Sequence, residues 1–408
     1  MSAPEAPMVP VRRLPLPEFI VLLAMMFAMT AFSIDAMLPA MPEIAADLSP
    51  EAPNRAQLIV TSFVFGMGLG TFLTGPLSDA LGRRRVIIGG ATLYCLGAAL
   101  AWVAPSLWLV LAARLLQGLG VAGPRVAAIA LVRDLYAGRQ MARIVSITMM
   151  VFVLVPAVAP LIGSFIIAGF GWRGIFPAFI VFAVLSTAWF WLRQAETLPV
   201  RARRPLRFAT LAAAVREILT HRLVVMVILV MTLAFASLFA TLSSTQQVFD
   251  RHFGLAESFP RWFAVIALLS GFASVLNARL VVRLGMRAMA TGTFAAQTVN
   301  SAVMVLLFGA NLVPEWAAFW LYFYWTVTVF FMAGLTIGNL NALALEPMGH
   351  IAGTAASVVT ALATVLSVLV AAPIGLAFDG TPLPLMVGVF ICSALAVPLM
   401  LALPRREG

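Results

Sequence analysis

The chain contains no lysine; all 26 of its basic residues are arginine. Charge of either sign is scarce, since Asp, Glu and Arg together make up only 10% of 408 residues, where a soluble domain has about a quarter. Two cysteines, Cys95 and Cys392, are the whole thiol content. Both fall inside long apolar runs and read as unpaired packing residues, with neither disulfide nor metal chemistry implied. No nucleotide-binding loop, metal cluster or catalytic triad is present. The expectation is therefore a protein that is not an enzyme and needs no cofactor.

In place of charge there is apolar sequence, 62% of the chain. It divides into twelve runs at about 17–40, 56–79, 85–104, 106–132, 143–169, 173–192, 222–249, 261–283, 288–311, 315–343, 351–375 and 382–403. Runs of roughly 20 residues match the ~30 Å hydrocarbon thickness when helical, so the fold class is all-α integral membrane with twelve transmembrane helices. The first run leads into Asp35 and Pro39 rather than a small-residue cleavage site, so it is expected to remain as helix 1.

A net charge of +10 would fit a nucleic-acid binder, but its distribution does not. With the N-terminus placed in the cytoplasm, 20 arginines fall in cytoplasmic segments. Arg55, Arg173, Arg251 and Arg261 fall outside, and Arg114 and Arg125 lie within the membrane. This is positive-inside asymmetry, with both termini cytoplasmic and no nucleic-acid partner. The most polar stretch, 193–222, carries Arg193, Arg201, Arg203, Arg204, Arg207, Arg216 and Arg222. It divides the chain into an N-terminal six-helix bundle (1–192), a cytoplasmic linker (193–222) and a C-terminal six-helix bundle (223–408). Within the linker, 208–219 reads either as an amphipathic helix on the inner leaflet or as a solvated connection.

Gly75-Pro-Leu-Ser-Asp79-Ala-Leu-Gly82-Arg83-Arg84-Arg85 joins the second and third runs through a tight turn. It resembles the cytoplasmic signature of major facilitator superfamily transporters, G-x-L-x-D-x-x-G-R-R/K, at all six specified positions. A faded echo, Asn277-Ala-Arg279-Leu-Val-Val-Arg283-Leu-Gly285-Met-Arg287, follows the eighth run, with Gly285 lying 203 residues after Gly82. The echo implies a parallel repeat of two six-helix halves, the arrangement of that superfamily. Its acid is missing, because Val282 stands where Asp79 would be. The resemblance implies that Asp79 helps latch the outward-facing state, with Gly75, Gly82, Arg83 and Arg84 as the rest of the motif. Asp79 ends a helix whose own dipole disfavours an anion. Its support comes either from Arg83 or from the N-terminus of the eleventh helix.

Ionisable residues at membrane depth are functional candidates by default. Asp35 lies in Ile34-Asp-Ala-Met-Leu-Pro39, which resembles the D-x-x-L-P ending of helix 1 in drug:proton antiporters. Arg114 opens Arg-Leu-Leu-Gln117-Gly118-Leu-Gly120, similar to the R-x-x-Q-G-x-G motif of helix 4 linked to proton coupling. The two read as partners or near neighbours. Arg125, eleven residues on, returns to the same face about 16 Å deeper. It either extends a positive wall along the cavity or snorkels to the inner headgroups.

Weaker patterns fill in the rest. Pro156, Pro160 and Gly163 approximate the helix-5 antiporter motif, with Val155, Ala159 and Ser164 replacing three of its glycines. Gly171-Trp-Arg173-Gly resembles the family's loop before helix 6, and Gly349-His350-Ile-Ala-Gly353 the opening of helix 11 in the bicyclomycin/chloramphenicol efflux group. Thr354, Ser357, Thr360, Thr364 and Ser367 form a polar stripe of the kind that serves helix packing. Gln117, Phe235, Phe239, Asn339 and Phe331 join Arg125 as candidates for lining a substrate cavity.

The whole-chain reading is a bacterial inner-membrane, proton-coupled exporter of small, largely apolar drugs or antibiotics. It acts as a monomer by alternating access, and its partners are substrate, protons and the lipid bilayer. A metabolite exporter or importer of the same fold is the alternative, and a passive channel a more distant one.

Overall fold

Where no water reaches the backbone, each apolar run must satisfy its own N–H and C=O groups, and a helix does so within one segment. The computed structural model describes residues 14–203, 205–206 and 208–404, which form helices and connections without a strand. The helices are α1 (Leu16–Asp35), α2 (Met41–Leu48), α3 (Leu58–Leu81), α4 (Arg83–Val103), α5 (Leu107–Leu135), α6 (Gly138–Phe170) and α7 (Ile175–Arg193). After the linker follow α8 (Phe208–Thr220), α9 (Arg222–Arg251), α10 (Phe259–Leu284), α11 (Met286–Gly309), α12 (Glu315–Leu345), α13 (Ala352–Leu376) and α14 (Leu383–Leu401). Ten described helical stretches are long and apolar enough to cross a membrane. One of them, Glu315–Leu376, contains both α12 and α13, and α6 adds its apolar portion Leu154–Phe170. With the short α2 and α8 set aside, twelve long helices remain, at the places the apolar runs predict.

The first run departs from expectation. Instead of continuing to residue 40, α1 stops at Asp35, and Leu38–Ala40 forms a 3-10 turn leading into α2. Pro39 supplies the reason: it has no N–H to donate, and its ring would clash with the carbonyl four residues back, that of Asp35.

The long helices form two sets. In one, α5 packs closely on α3 and α4, while α1 lies against α6 and α7. In the other, α9 meets α12, α13 and α14, and α11 meets α12 and α14. The sets touch along two seams, α3 with α13 and α6 with α10. Small residues make the tight seams possible. A Cβ on Gly118 of α5 would come within 2.0 Å of the Phe63 carbonyl oxygen of α3, and one on Gly120 within 2.4 Å of the Tyr94 nitrogen of α4. Ala or larger at either place would force the helices apart.

The repeat is visible in the backbone. Gly82 (φ 100°, ψ 155°) joins α3 to α4, and Gly285 (φ 82°, ψ 153°) joins α10 to α11 in the same conformation. Both lie in a region essentially closed to side-chain-bearing residues. The linker forms the amphipathic α8, which packs on α9 and α13. Ala214 and Ile218 are turned inward, and Glu217 pairs with His350 at 2.8 Å. Arg204 and Arg207 lie outside the described residues.

Candidate functional site: a vestibule below a buried polar network

The arginine turn is held by carboxylates from three elements. Arg83, almost fully buried, donates to Asp79 Oδ1 at 2.5 Å, to Asp134 Oδ2 of α5 at 3.0 Å and to Ser78 Oγ at 3.1 Å. Of the two supports foreseen for Asp79, Arg83 is the one in contact. From the linker, Glu196 accepts the first backbone N–H groups of α4, those of Arg83 and Arg84, at 3.0 and 3.1 Å. It thus caps a helix whose N-cap residue is a glycine without a side chain. The Asp134 and Glu196 roles were not foreseen. Asp134 sits at the end of α5 and Glu196 in a polar linker, and neither position carries a pattern that marks it.

Between the two helix sets, and open at the arginine-rich end, lies a vestibule of about 490 Å³. A second space of about 660 Å³ beneath the linker shares Asp79, Arg83, Arg133 and Gly353 with it. Asp79 and the start of α13 (Ala352, Gly353) thus face a common opening. Gly75 meets α13 directly: its Cβ, if present, would lie 2.9 Å from Ser357 Oγ. Arg125 lines the vestibule instead of reaching for headgroups, and its Nη1 lies 3.2 Å from Met67 Sδ. Phe235 lines it too, stacked on the buried Phe239 at 5.7 Å between ring centroids. Thr354, Ser357 and Thr360, which read as packing residues, also lie on its wall.

Three other candidates sit elsewhere, one of them Gln117, which is fully buried and accepts from Arg114. Asn339 donates to Asn277 Oδ1 at 2.7 Å, tying α12 to α10, and Phe331 packs with Ala273, Met289 and Leu335. The vestibule asparagine is Asn341, two residues on, whose Oδ1 has no hydrogen-bond partner among the described residues. Without the helix's rotational setting, hydropathy alone could not separate the two.

Beyond the vestibule, the first helix set encloses a polar network. Arg114, fully buried, donates to the Ser33 carbonyl at 2.8 Å, to Gln117 Oε1 at 2.6 Å and, more weakly, to the Ile59 carbonyl at 3.4 Å. Its guanidinium lies 4.3 Å from the Phe63 ring centroid, a cation–π contact. Ser33 Oγ donates to the Met29 carbonyl and lies 2.5 Å from Tyr94 Oη, which donates to it. Asp35 is two residues from Ser33 and buried, yet its carboxylate makes no hydrogen bond or ion pair among the described residues. The expected partnership with Arg114 is thus one of neighbourhood only, because carbonyls, an amide and a ring occupy the guanidinium. Gly163 of α6 closes over this end of α1, where a Cβ would fall 2.2 Å from the Ala36 carbonyl oxygen. Pro156 and Pro160 lie inside the same continuous helix.

At the end away from the arginine turn, the helix sets are joined by uncharged amides. Asn54 donates to the Phe378 carbonyl at 2.7 Å, Gln247 of α9 donates to Asn54 Oδ1 at 2.6 Å, and Gln57 donates to Gln247. Ser244 completes the chain by donating to Gln57 Oε1 at 2.9 Å. Nearby, Trp172 and Arg173 both donate to Asp47 Oδ2. The molecule is open at one end and hydrogen-bonded shut at the other.

Comparison with known proteins bears on the family and the fold. Residues 21–372 match the family model described as Major Facilitator Superfamily. The chain is 30% identical over 345 residues to a bicyclomycin resistance protein homolog of Haemophilus influenzae, an alignment covering 84% of each chain. It is 36% identical over 177 residues to a chloramphenicol resistance protein of Pseudomonas aeruginosa, covering 42% of each. Among solved structures, the D-xylose–proton symporter superposes with a TM-score of 0.74 at 15% identity, over 95% of this chain and 98% of that one.

Proposed function

The chain belongs to the major facilitator superfamily; from that premise we propose that it is a drug:proton antiporter, exporting small, largely apolar drugs or antibiotics by alternating access. The two bundles, 1–192 and 223–408, rock against each other about the α3–α13 and α6–α10 seams, with 193–222 as the cytoplasmic linker. The arginine-rich end faces the cytoplasm of the inner membrane, following the positive-inside rule. The conformation described here is then inward-open, with the Asp79 latch disengaged and the amide gate shut. The transporter works as a monomer.

One observation carries the coupling assignment: a buried carboxylate, Asp35, at the C-terminal end of its own helix and with no partner among the described residues. An unpaired charge there is opposed both by burial and by the helix dipole. A proton neutralises the carboxylate while the site is dry, and access to water lets the proton leave. Arg114 holds the Ser33 carbonyl two residues away, so movement of that network is felt directly at Asp35. The names of the two resistance-protein relatives support the substrate class.

The test is transport in proteoliposomes under an imposed pH gradient, with chloramphenicol and bicyclomycin as substrates. Wild-type protein should exchange drug for protons, and Asp35→Asn should lose gradient-driven exchange while still binding drug. Gradient-driven transport at wild-type rate in Asp35→Asn would refute the assignment.

A further inference from the structure

We infer that the vestibule is a binding site for amphipathic organic anions, in which the Arg125 guanidinium takes a carboxylate and the cavity's apolar wall takes the rest of the molecule. The inference rests on the export reading and narrows its substrate class.

It starts from a contrast among three arginines. Arg83 is answered by Asp79, Asp134 and Ser78, and Arg114 by two carbonyls, Gln117 and an aromatic ring. Both guanidinium groups are committed to holding the protein together. Arg125 lies ten residues inside the end of α5, about 15 Å along the helix. Its contact is Met67 Sδ, a weak acceptor, and no acid pairs with it among the described residues. A cation at such depth is costly unless something in the cavity answers it.

The surroundings specify what that something is. The vestibule wall carries Arg83, Arg125 and Arg133 against one acid, Asp79, which is itself paired with Arg83. The start of α13 opens onto the same space, with the positive end of its helix dipole. An organic cation meets repulsion here, whereas a carboxylate meets a planar fork of donors that matches it in bidentate fashion. Opposite the charge, Met231, Phe235 and Ile337 offer apolar and aromatic surface, and a volume of about 490 Å³ admits a drug-sized body.

A matched pair of probes tests the assignment: 2-naphthoate and its neutral isostere 2-naphthamide, titrated calorimetrically into the purified full-length protein. The wild type is expected to bind the carboxylate at least tenfold more tightly than the amide. Arg125→Met should remove that preference by weakening naphthoate alone, and Arg125→Lys should retain part of it. Equal wild-type affinities, or a carboxylate preference that survives Arg125→Met, would overturn the inference. The wild-type comparison decides even if Arg125→Met does not fold. The chloramphenicol exchange assay separates the two proposals. Absent carboxylate preference with intact chloramphenicol exchange refutes this inference alone, and a carboxylate preference with neither chloramphenicol nor 2-naphthoate exchanged under the pH gradient refutes the export reading.

Discussion

Arg84 and Arg287, 203 positions apart, perform the same task in the two halves. Arg84 donates to the Trp191 carbonyl at 2.8 Å near the end of α7 and lies over the Trp191 ring. Arg287 donates to the carbonyls of Leu403 and, at 3.2 Å, Pro404, just past the end of α14. Each arginine begins the third long helix of its half and closes the free carbonyl end of the sixth. A cation there satisfies orphan carbonyls and complements the helix dipole. Replacing either with alanine should cost about 1–2 kcal/mol of stability, read as a fall in thermal midpoint in detergent. A loss confined to one half would break the functional equivalence.

Gly82 and Gly285 should differ under the same substitution. Gly285→Ala meets nothing within 4 Å, so it carries only the backbone strain of about 1–3 kcal/mol. At Gly82 the new Cβ would also fall 2.4 Å from Glu196 Oε2. Gly82→Ala should therefore be worse by roughly the 1 kcal/mol of a lost helix cap. Equal thermal shifts for the two variants would mean that Glu196 does not cap α4 in solution.

Arg114 and Arg125 should respond oppositely to lysine. Arg114 uses its fork to reach Ser33 and Gln117 together, and an ammonium on a flexible stem cannot reproduce that geometry. Arg114→Lys should behave like Arg114→Met, leaving buried acceptors short at about 1–3 kcal/mol and exchange below a tenth of wild type. Wild-type exchange in Arg114→Lys would show that charge alone suffices.

The amide gate should set how long the protein stays open at the arginine-rich end. Gln57→Ala removes its bonds to Gln247 and Ser244, each worth about 1 kcal/mol net. The equilibrium should then move roughly 30-fold away from this conformation. A cysteine placed at Thr360 on the vestibule wall, in a Cys95→Ala, Cys392→Ala background, reports it. Its reaction with a water-soluble maleimide should slow in Gln57→Ala, and an unchanged rate would remove the gate from the mechanism.

The long helices were legible because bilayer thickness sets the length of an apolar run, and Pro39 explains the early end of the first. The turn at Gly82 was legible because its conformation admits little besides glycine. Asp134, Glu196 and the Asn54–Gln57–Gln247 chain were not legible. Each is a single polar residue whose partner comes from a distant segment, and such a pairing has no period and no local signature. Asn339 and Asn341 show the limit most directly, since their helix is apolar nearly all round and no amphipathic face orients it.

By itself, the sequence determined an all-helical membrane protein, its two-part repeat and the sidedness of its charge. These follow from length, hydropathy and residue type, which act locally. Tertiary structure decided that Arg125 faces a cavity, that Arg114 is answered by carbonyls instead of Asp35, and which end stands open. Lipid and a neighbouring helix are equally apolar surroundings, so a membrane helix carries little record of which side of it faces which. Only the packing of the other helices against it settles the matter.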